Sequence, residues 1–369
     1  MSPDVIVVGG GVIGSAVAFQ LSRSGLRVTV FDAGLPGQAS AAAAGVISAP
    51  VDAPTGPLAE LAQESARLHG PLAEELRDRT GIDPGYRDSD VLYLAASDAD
   101  ELVLRRRRDL LDQAGVHVGW LDAARVHDVE PAIAADTRAG LHLPKQHQIS
   151  PPALVQALRR AAADLGAELR PRAVDALLHT GERVSGVMAG GEPVTAAEVV
   201  IANGAWAGGF ASVLDLSIPV RPVRGQMVGV RSPRSVLRNV LFAPDVYLLR
   251  KADGWIYVGA TAEEAGYDAR LTARAVRDLL AQAVALVPAL GDASFSHGAA
   301  GLRPATPDGL PLIGRLGPLR GLTIAGGHFR EGVLLAPITA EVIADLIEGR
   351  APRVRLDAFD PTRFRVRAA

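Results

Sequence analysis

Residues 4–14 read Asp4-Val5-Ile6-Val7-Val8-Gly9-Gly10-Gly11-Val12-Ile13-Gly14, and the fold turns on this stretch. Val5 to Val8 are four consecutive apolar residues, the pattern of a strand buried on both faces. Gly9-x-Gly11-x-x-Gly14 follows at once, and behind it Val17, Ala18 and Leu21 recur at helical spacing until Gly25 ends the helix. Arg27-Val28-Thr29-Val30-Phe31-Asp32 is a second strand, so residues 5–32 make one βαβ unit. In such a unit the first glycine permits the turn, the second lets backbone approach a pyrophosphate, and the third lets helix and strand pack closely. The helix N-terminus offers N–H groups and a partial positive charge to the phosphates. Asp32, ending the second strand, stands where ribose hydroxyls would donate. A glycine turn alone is an ordinary structural feature; strand, helix and terminal acid together point to a dinucleotide, without separating NAD from FAD.

Further along, Leu58, Leu61, Leu68, Leu72 and Leu76 predict a helix over 58–79. A second helix over 98–114 carries Arg105 to Arg108, read as a solvated face because consecutive helical residues point in different directions. After Pro151 come a helix at 153–165, strand pieces near 167–178 and 184–188, and the strand Glu198 to Ala202 running into Asn203-Gly204-Ala205-Trp206. Residues 219–261 read mainly as strand. The end of the chain repeats strand, turn and helix: Leu322 to Ala325, Gly326-Gly327, then Leu334 to Ile347. The two strand–turn–helix ends belong to one layer. The expected fold class is therefore α/β (α+β overall): a Rossmann-like nucleotide-binding domain made of 1–85, 146–220 and 300–369, with a β-rich substrate-binding domain of 86–145 and 221–299.

The 369 residues are 48% hydrophobic, enough for a core without staples. A net charge of -3, from 38 basic and 41 acidic residues, gives no general attraction to nucleic acid or an anionic membrane, which points to a small-molecule substrate. The absence of cysteine excludes disulfides, thiolate metal ligands, a catalytic thiol and a cysteinyl flavin link. A histidyl link stays open, with eight histidines present, and no metal site is expected. The first strand starts within a few residues of Met1, with no basic and apolar leader before it, and the alanine-rich run after Ala39 is interrupted by Gly45 and Ser48. A cytoplasmic protein is expected.

Several segments in order carry a resemblance: Asp4 to Gly14, Ser40 to Gly45, Ala202 to Trp206, Gly301-Leu302-Arg303-Pro304 with Asp308-Gly309 and Pro311, and Gly326-Gly327-His328-Phe329-Arg330 with Gly332 to Pro337. Together they resemble the glycine oxidase branch, associated with thiamine biosynthesis, of the FAD-dependent D-amino acid oxidase family. The resemblance selects FAD, bound non-covalently, and spans nearly the whole chain. By position, Gly9, Gly11, Val12, Ile13, Gly14, Asp32 and Ala33 match the ADP-binding part. Ser40, Ala41, Ala44, Gly45 and Val46 match the stretch past the pyrophosphate and flavin. Val174 matches an adenine-side contact, and Asn203, Gly204 and Trp206 a further cofactor-binding turn. Gly327, Arg330, Gly332, Val333 and Leu334 match the wall beside the flavin ring, where the dipole of the last helix would stabilise negative charge.

For the substrate, Arg303 matches the family's carboxylate clamp, also counted among cofactor contacts; a guanidinium fits a carboxylate with two parallel hydrogen bonds. Tyr247 matches a tyrosine that adds a hydrogen bond to that carboxylate, and Arg330 an arginine that helps place the amine. His328, in a glycine-rich turn, is left out of the catalytic set. Asp245 stands where the family pattern has histidine, and Ala262 where it has methionine, which leaves more room over the substrate. The resemblance implies oxidation of glycine or small neutral D-amino acids, with oxygen as second substrate. A dehydrogenase acting on amino acids or sarcosine-like amines, and a non-catalytic flavoprotein, remain open, as does a homo-oligomer.

Overall fold

The computed structural model describes residues 2–48, 54–210, 218–232, 236–317 and 319–364. Two large sheets organise it. The first contains, in chain order, β1 (Val5–Val8), β2 (Val28–Phe31), β6 (Glu168–Arg170), β7 (Glu198–Ile201), β13 (Leu312–Arg315) and β14 (Leu322–Gly326). The second contains β3 (Val91–Ala95), β4 (Gly119–Asp122), β5 (Ala139–Leu143), β8 (Arg221–Arg231), β9 (Val240–Phe242), β10 (Tyr247–Arg250), β11 (Trp255–Gly259) and β12 (Ser294–Ala305). The helices that matter to the site are α1 (Val12–Arg23), α2 (Pro57–Thr80), α3 (Asp98–Gln113), α4 (Pro151–Asp164), α5 (Ala273–Leu286) and α6 (Gly332–Glu348).

The first sheet runs β13-β14-β7-β1-β2-β6, parallel throughout except for the antiparallel edge pair β13–β14. Its central strand is buried on both sides, as the unbroken apolar run requires. Val5 and Val7 enter one core with α1, α2, α4 and α6; Ile6 and Val8 enter another, beneath a small three-stranded sheet over 176–195. Gly14 is what lets α1 sit so close: a Cβ there would lie 1.9 Å from the Gly9 carbonyl oxygen.

The second sheet runs β12-β8-β11-β10-β9-β3-β5-β4, with β9–β3 its one parallel pair. Val228, Val230, Leu248, Ile256 and Val258 face α5, while Met227, Leu249 and Tyr257 face the other way and meet Ala44 of the first layer. The fold is thus α/β with a parallel nucleotide-type sheet and a largely antiparallel second sheet. Helices α5 and 123–129 were not expected from the sequence. Arg105 to Arg108 are not a simple solvated face either: Arg105 and Arg108 lie over the Trp120 ring, and Arg107 lies over Tyr93. No helix among the described residues is long and apolar enough to cross a membrane.

Candidate active site

A cavity of about 1560 Å3 runs between the two sheets. That exceeds the ~300–1,000 Å3 of ordinary small-molecule pockets, so it has room for an extended dinucleotide together with a small substrate. Its nucleotide end is built from the turn after β1. Gly9 takes φ +105, and a Cβ there would run into the Ala202 carbonyl, so glycine is required both by conformation and by the neighbouring strand end. Gly11, Val12 and Ile13 present the start of α1 to the cavity, with the Val12 N–H donating to Ser40 Oγ at 3.0 Å. Asp32 lies across from them, accepting from Gln38 Nε2 at 3.0 Å, from the Gly34 N–H at 3.2 Å, and from Arg159. Arg159 comes from α4 and also holds the Gly10 carbonyl, so it ties acid and glycine turn together. It was not foreseen from the sequence; it is 127 positions from Asp32, and nothing local marks it.

Of the expected cofactor residues, Gly9, Gly11, Val12, Ile13, Asp32, Ala33, Ser40, Ala44, Gly45, Val46, Val174, Asn203, Gly204, Trp206, Arg303, Arg330, Gly332, Val333 and Leu334 line this one cavity. Gly14, Ala41 and Gly327 do not line it. Gly14 serves helix packing, Ala41 faces solvent, and Gly327 (φ +71) turns the chain against Thr306. The Asn203 Oδ1 is buried with no hydrogen-bond partner in a residue that lines the cavity, an acceptor that suits a bound donor. Glycine-lined backbone, two helix N-termini, a carboxylate and this orphaned acceptor fit a dinucleotide such as FAD.

The second helix N-terminus is that of α6. Gly332, Val333 and Leu334 line the cavity, and the helix is steered there from behind. Pro337 removes the N–H that the Val333 carbonyl would accept, and α2 braces the same turn: Ser65 Oγ donates to the Leu334 carbonyl at 2.6 Å, and His69 Nε2 lies 3.0 Å from the same oxygen. Burial lowers the His69 pKa to about 4, so the ring is neutral at pH 7.

At the substrate end, Arg303 on β12 and Tyr247 on β10 project from the same face of the second sheet. The register Arg303–Val223 and Met227–Gly259–Tyr247 fixes this, because partnered residues share a face. The Arg303 guanidinium lies over Gly225: a Cβ there would come within 2.3 Å of it. Arg303 Nη1 donates to the Thr261 carbonyl at 2.9 Å. Thr261 is itself held from behind, its hydroxyl donating to Glu263 at 2.5 Å and accepting from the Gln226 N–H at 3.0 Å. Glu263 in turn accepts from Arg224 at 2.6 Å and from Gln226 at 2.7 Å. Burial pushes the Glu263 carboxyl up, but hydrogen bonds from Thr261, Arg224 and Gln226 outweigh it and hold the pKa below its ordinary value.

Burial pushes the Tyr247 hydroxyl up, offset in part by a hydrogen bond with Tyr257 and by the positive charges of Arg303 and Arg330. Tyr247, Arg303 and Arg330, the three residues singled out from the sequence, all line the same cavity. Tyr257, also unforeseen, stacks on Tyr247 at 5.5 Å and donates to the Ala42 carbonyl at 2.7 Å. His328 is buried with Nε2 3.1 Å from Thr339 Oγ1, and burial lowers its pKa to about 3, so the ring is neutral and a weak proton acceptor at neutral pH. Asp245 and Ala262 both line the cavity. Among the described residues no group of three or more His, Asp and Glu is placed to hold a metal.

Comparison with known proteins agrees with this geometry. A family model described as FAD dependent oxidoreductase (DAO) matches residues 4–346. The chain is 38% identical to the glycine oxidase of Geobacillus kaustophilus, covering 98% of this chain and 97% of that one. It is 34% identical to the bifunctional protein ThiO/ThiG of Trichormus variabilis, spanning all of this chain and 56% of the relative. The crystal structure of glycine oxidase from Geobacillus kaustophilus superposes with a TM-score of 0.94 at 36% identity, over 99% of both chains. The chain belongs to the DAO family of FAD-dependent oxidoreductases.

Proposed function

We propose that the protein catalyses the FAD-dependent oxidative deamination of glycine and small neutral D-amino acids to a keto acid, ammonia and hydrogen peroxide. One observation carries this reading: a guanidinium, a phenol and a second arginine converge on the part of the cavity that faces the N-terminus of α6. Bound in this cavity, FAD supplies the two-electron acceptor for the substrate α-hydrogen.

The chain's own residues orient the substrate. Arg303 takes the carboxylate, and its position over Gly225 with one N–H spent on Thr261 leaves the rest of the fork for the ligand. Tyr247 stays protonated, because burial raises its pKa, and its hydroxyl donates a hydrogen bond to the same carboxylate. Arg330 helps place the amine. No side chain in the cavity is needed as a base if the amine enters neutral, which fits the low pKa of His328. The N-terminus of α6 stabilises negative charge that develops beside Gly332, Val333 and Leu334.

Non-covalent binding belongs to the same proposal: there is no cysteine, and among the described residues His328, held by Thr339, is the one histidine that lines the cavity. So does the division into an FAD-binding part (1–85, 146–220, 300–369) and a substrate-binding part (86–145, 221–299).

An anaerobic flavin-bleaching screen with glycine, sarcosine and D-alanine tests the reading. Bleaching followed by rapid peroxide formation on admitting air supports it; reduced flavin that persists in air sinks the oxidase. Arg303→Ala should bleach about a hundredfold less efficiently, as expected for losing a charge-assisted, two-bond contact.

A further inference from the structure

Aromatic residues make up 4% of the chain, yet four of them stand in one row along the cavity face of the second sheet. Starting at Tyr257, the row passes to Tyr247 (5.5 Å), Phe242 (5.1 Å) and Tyr93 (4.8 Å), each pair stacked within about 21° of parallel. Strand register produces it, since Phe242 is partnered with Tyr247 on one side and Tyr93 on the other. All four rings line the cavity, and α3 closes the far end with Val103 and Leu104, while Arg107 lies 5.4 Å over the Tyr93 ring.

A glycine or sarcosine molecule clamped at Arg303 and Tyr247 is too short to span the row to Tyr93, two strands beyond Tyr247. Those two rings extend the cavity wall beyond the clamp by two further strands. Rings stacked face to face spend their faces on one another and turn their hydrogen-bearing edges to the cavity. Such edges favour the electron-rich face of another ring over an alkyl chain of similar area, by roughly two- to twelvefold per contact.

We infer that Phe242 and Tyr93 form a side-chain subsite for an aryl group, so that the preferred substrate is an amino acid bearing an aromatic substituent rather than glycine itself. The inference rests on the proposed amino acid oxidation and on the clamp at Arg303. It moves the preferred substrate beyond the small neutral amino acids to a larger class, with the same chemistry at the α-carbon. The aryl group can be carried on the α-carbon or on the nitrogen; both place a ring one or two bonds from the clamped backbone.

The test is anaerobic flavin reduction by the holoenzyme with glycine, D-phenylalanine and N-benzylglycine, in the parent and in Phe242→Leu and Tyr93→Leu. The leucine variants keep apolar volume and remove a ring edge. At least one aryl substrate should exceed glycine about tenfold or more in kcat/KM, and the two aryl substrates report which atom carries the ring. Phe242→Leu should cut that aryl advantage about fivefold while glycine stays within about twofold, with Tyr93→Leu in the same direction. Glycine outpacing both aryl substrates in the parent, or Phe242→Leu lowering all three alike, would overturn the subsite and leave the oxidase reading standing. Absence of bleaching by every amine would bring down both.

Discussion

Arg303 depends on a residue that has no side chain. The guanidinium lies against Gly225, and a single methyl there would overlap it at 2.3 Å. Gly225→Ala is therefore expected to act through Arg303: KM for amino acid substrates rises about ten- to a hundredfold, with FAD affinity little changed. Steady-state kinetics beside flavin titration measures both, and an unaltered KM would show that Arg303 does not hold the substrate from its place over Gly225. At this scale the sequence was informative wherever a motif is contiguous. Gly9, Gly11 and Asp32 follow from the βαβ pattern, and Arg303, Tyr247 and Arg330 from short segments that resemble a family. Gly225, Tyr257, Arg159 and the Thr261–Glu263–Arg224 relay were illegible because each acts through a partner distant in sequence. An arginine in a helix such as Arg159 looks like any solvated charge until the turn it grips is folded beside it.

The N-terminus of α6 points into the cavity because α2 holds it there. Ser65 is fully buried; it donates to the Leu334 carbonyl and accepts from the Ile338 N–H, bridging the helical pair next to the break at Pro337. Ser65→Ala leaves the Ile338 N–H unpaired and the Leu334 carbonyl to His69 alone, and should cost about 1–3 kcal/mol of stability, with weaker FAD retention, read from urea unfolding of apo- and holoprotein. A variant as stable as the parent would mean that a water can replace the hydroxyl. The periodicity of the sequence places both helices within two residues of their ends, which suffices to predict that they exist and not that they touch. Helix α5 is the instructive omission. Thr272 caps it, and Val276, Leu279, Leu280, Ala283 and Leu286 mark an apolar face, so its signal was present beside a long stretch that reads as strand. The alternation within β1, by contrast, is invisible in Val5 to Val8, because both faces are buried and every position is apolar.

Over the whole molecule, two buried histidines set a limit on the acid side. His69 has its pKa lowered from 6.5 to about 4 and His328 to about 3, in both cases by burial. Below pH 6.5 the unfolded chain takes up protons that the folded one refuses, so the stability these residues support is full above about 6.5 and is lost as the pH falls toward 4. His69 alone accounts for on the order of 3 kcal/mol across that window. The urea midpoint should fall between pH 7 and pH 5 and fall less in His69→Gln; a flat profile would contradict it. The bulk architecture was legible: a nucleotide layer at both ends of the chain with a β-rich middle follows from where the strand–turn–helix patterns lie. The order of strands was not, since pairing between β9 and β3, or β7 and β14, is decided by long-range packing. That interleaving has a mechanical result. The polypeptide passes from one sheet to the other four times, at 31–91, 143–168, 201–221 and 305–312. One cut in any surface loop leaves the two layers still sewn together by the remaining passages, so a nicked molecule should migrate as a single body under native conditions and separate into two fragments only in detergent.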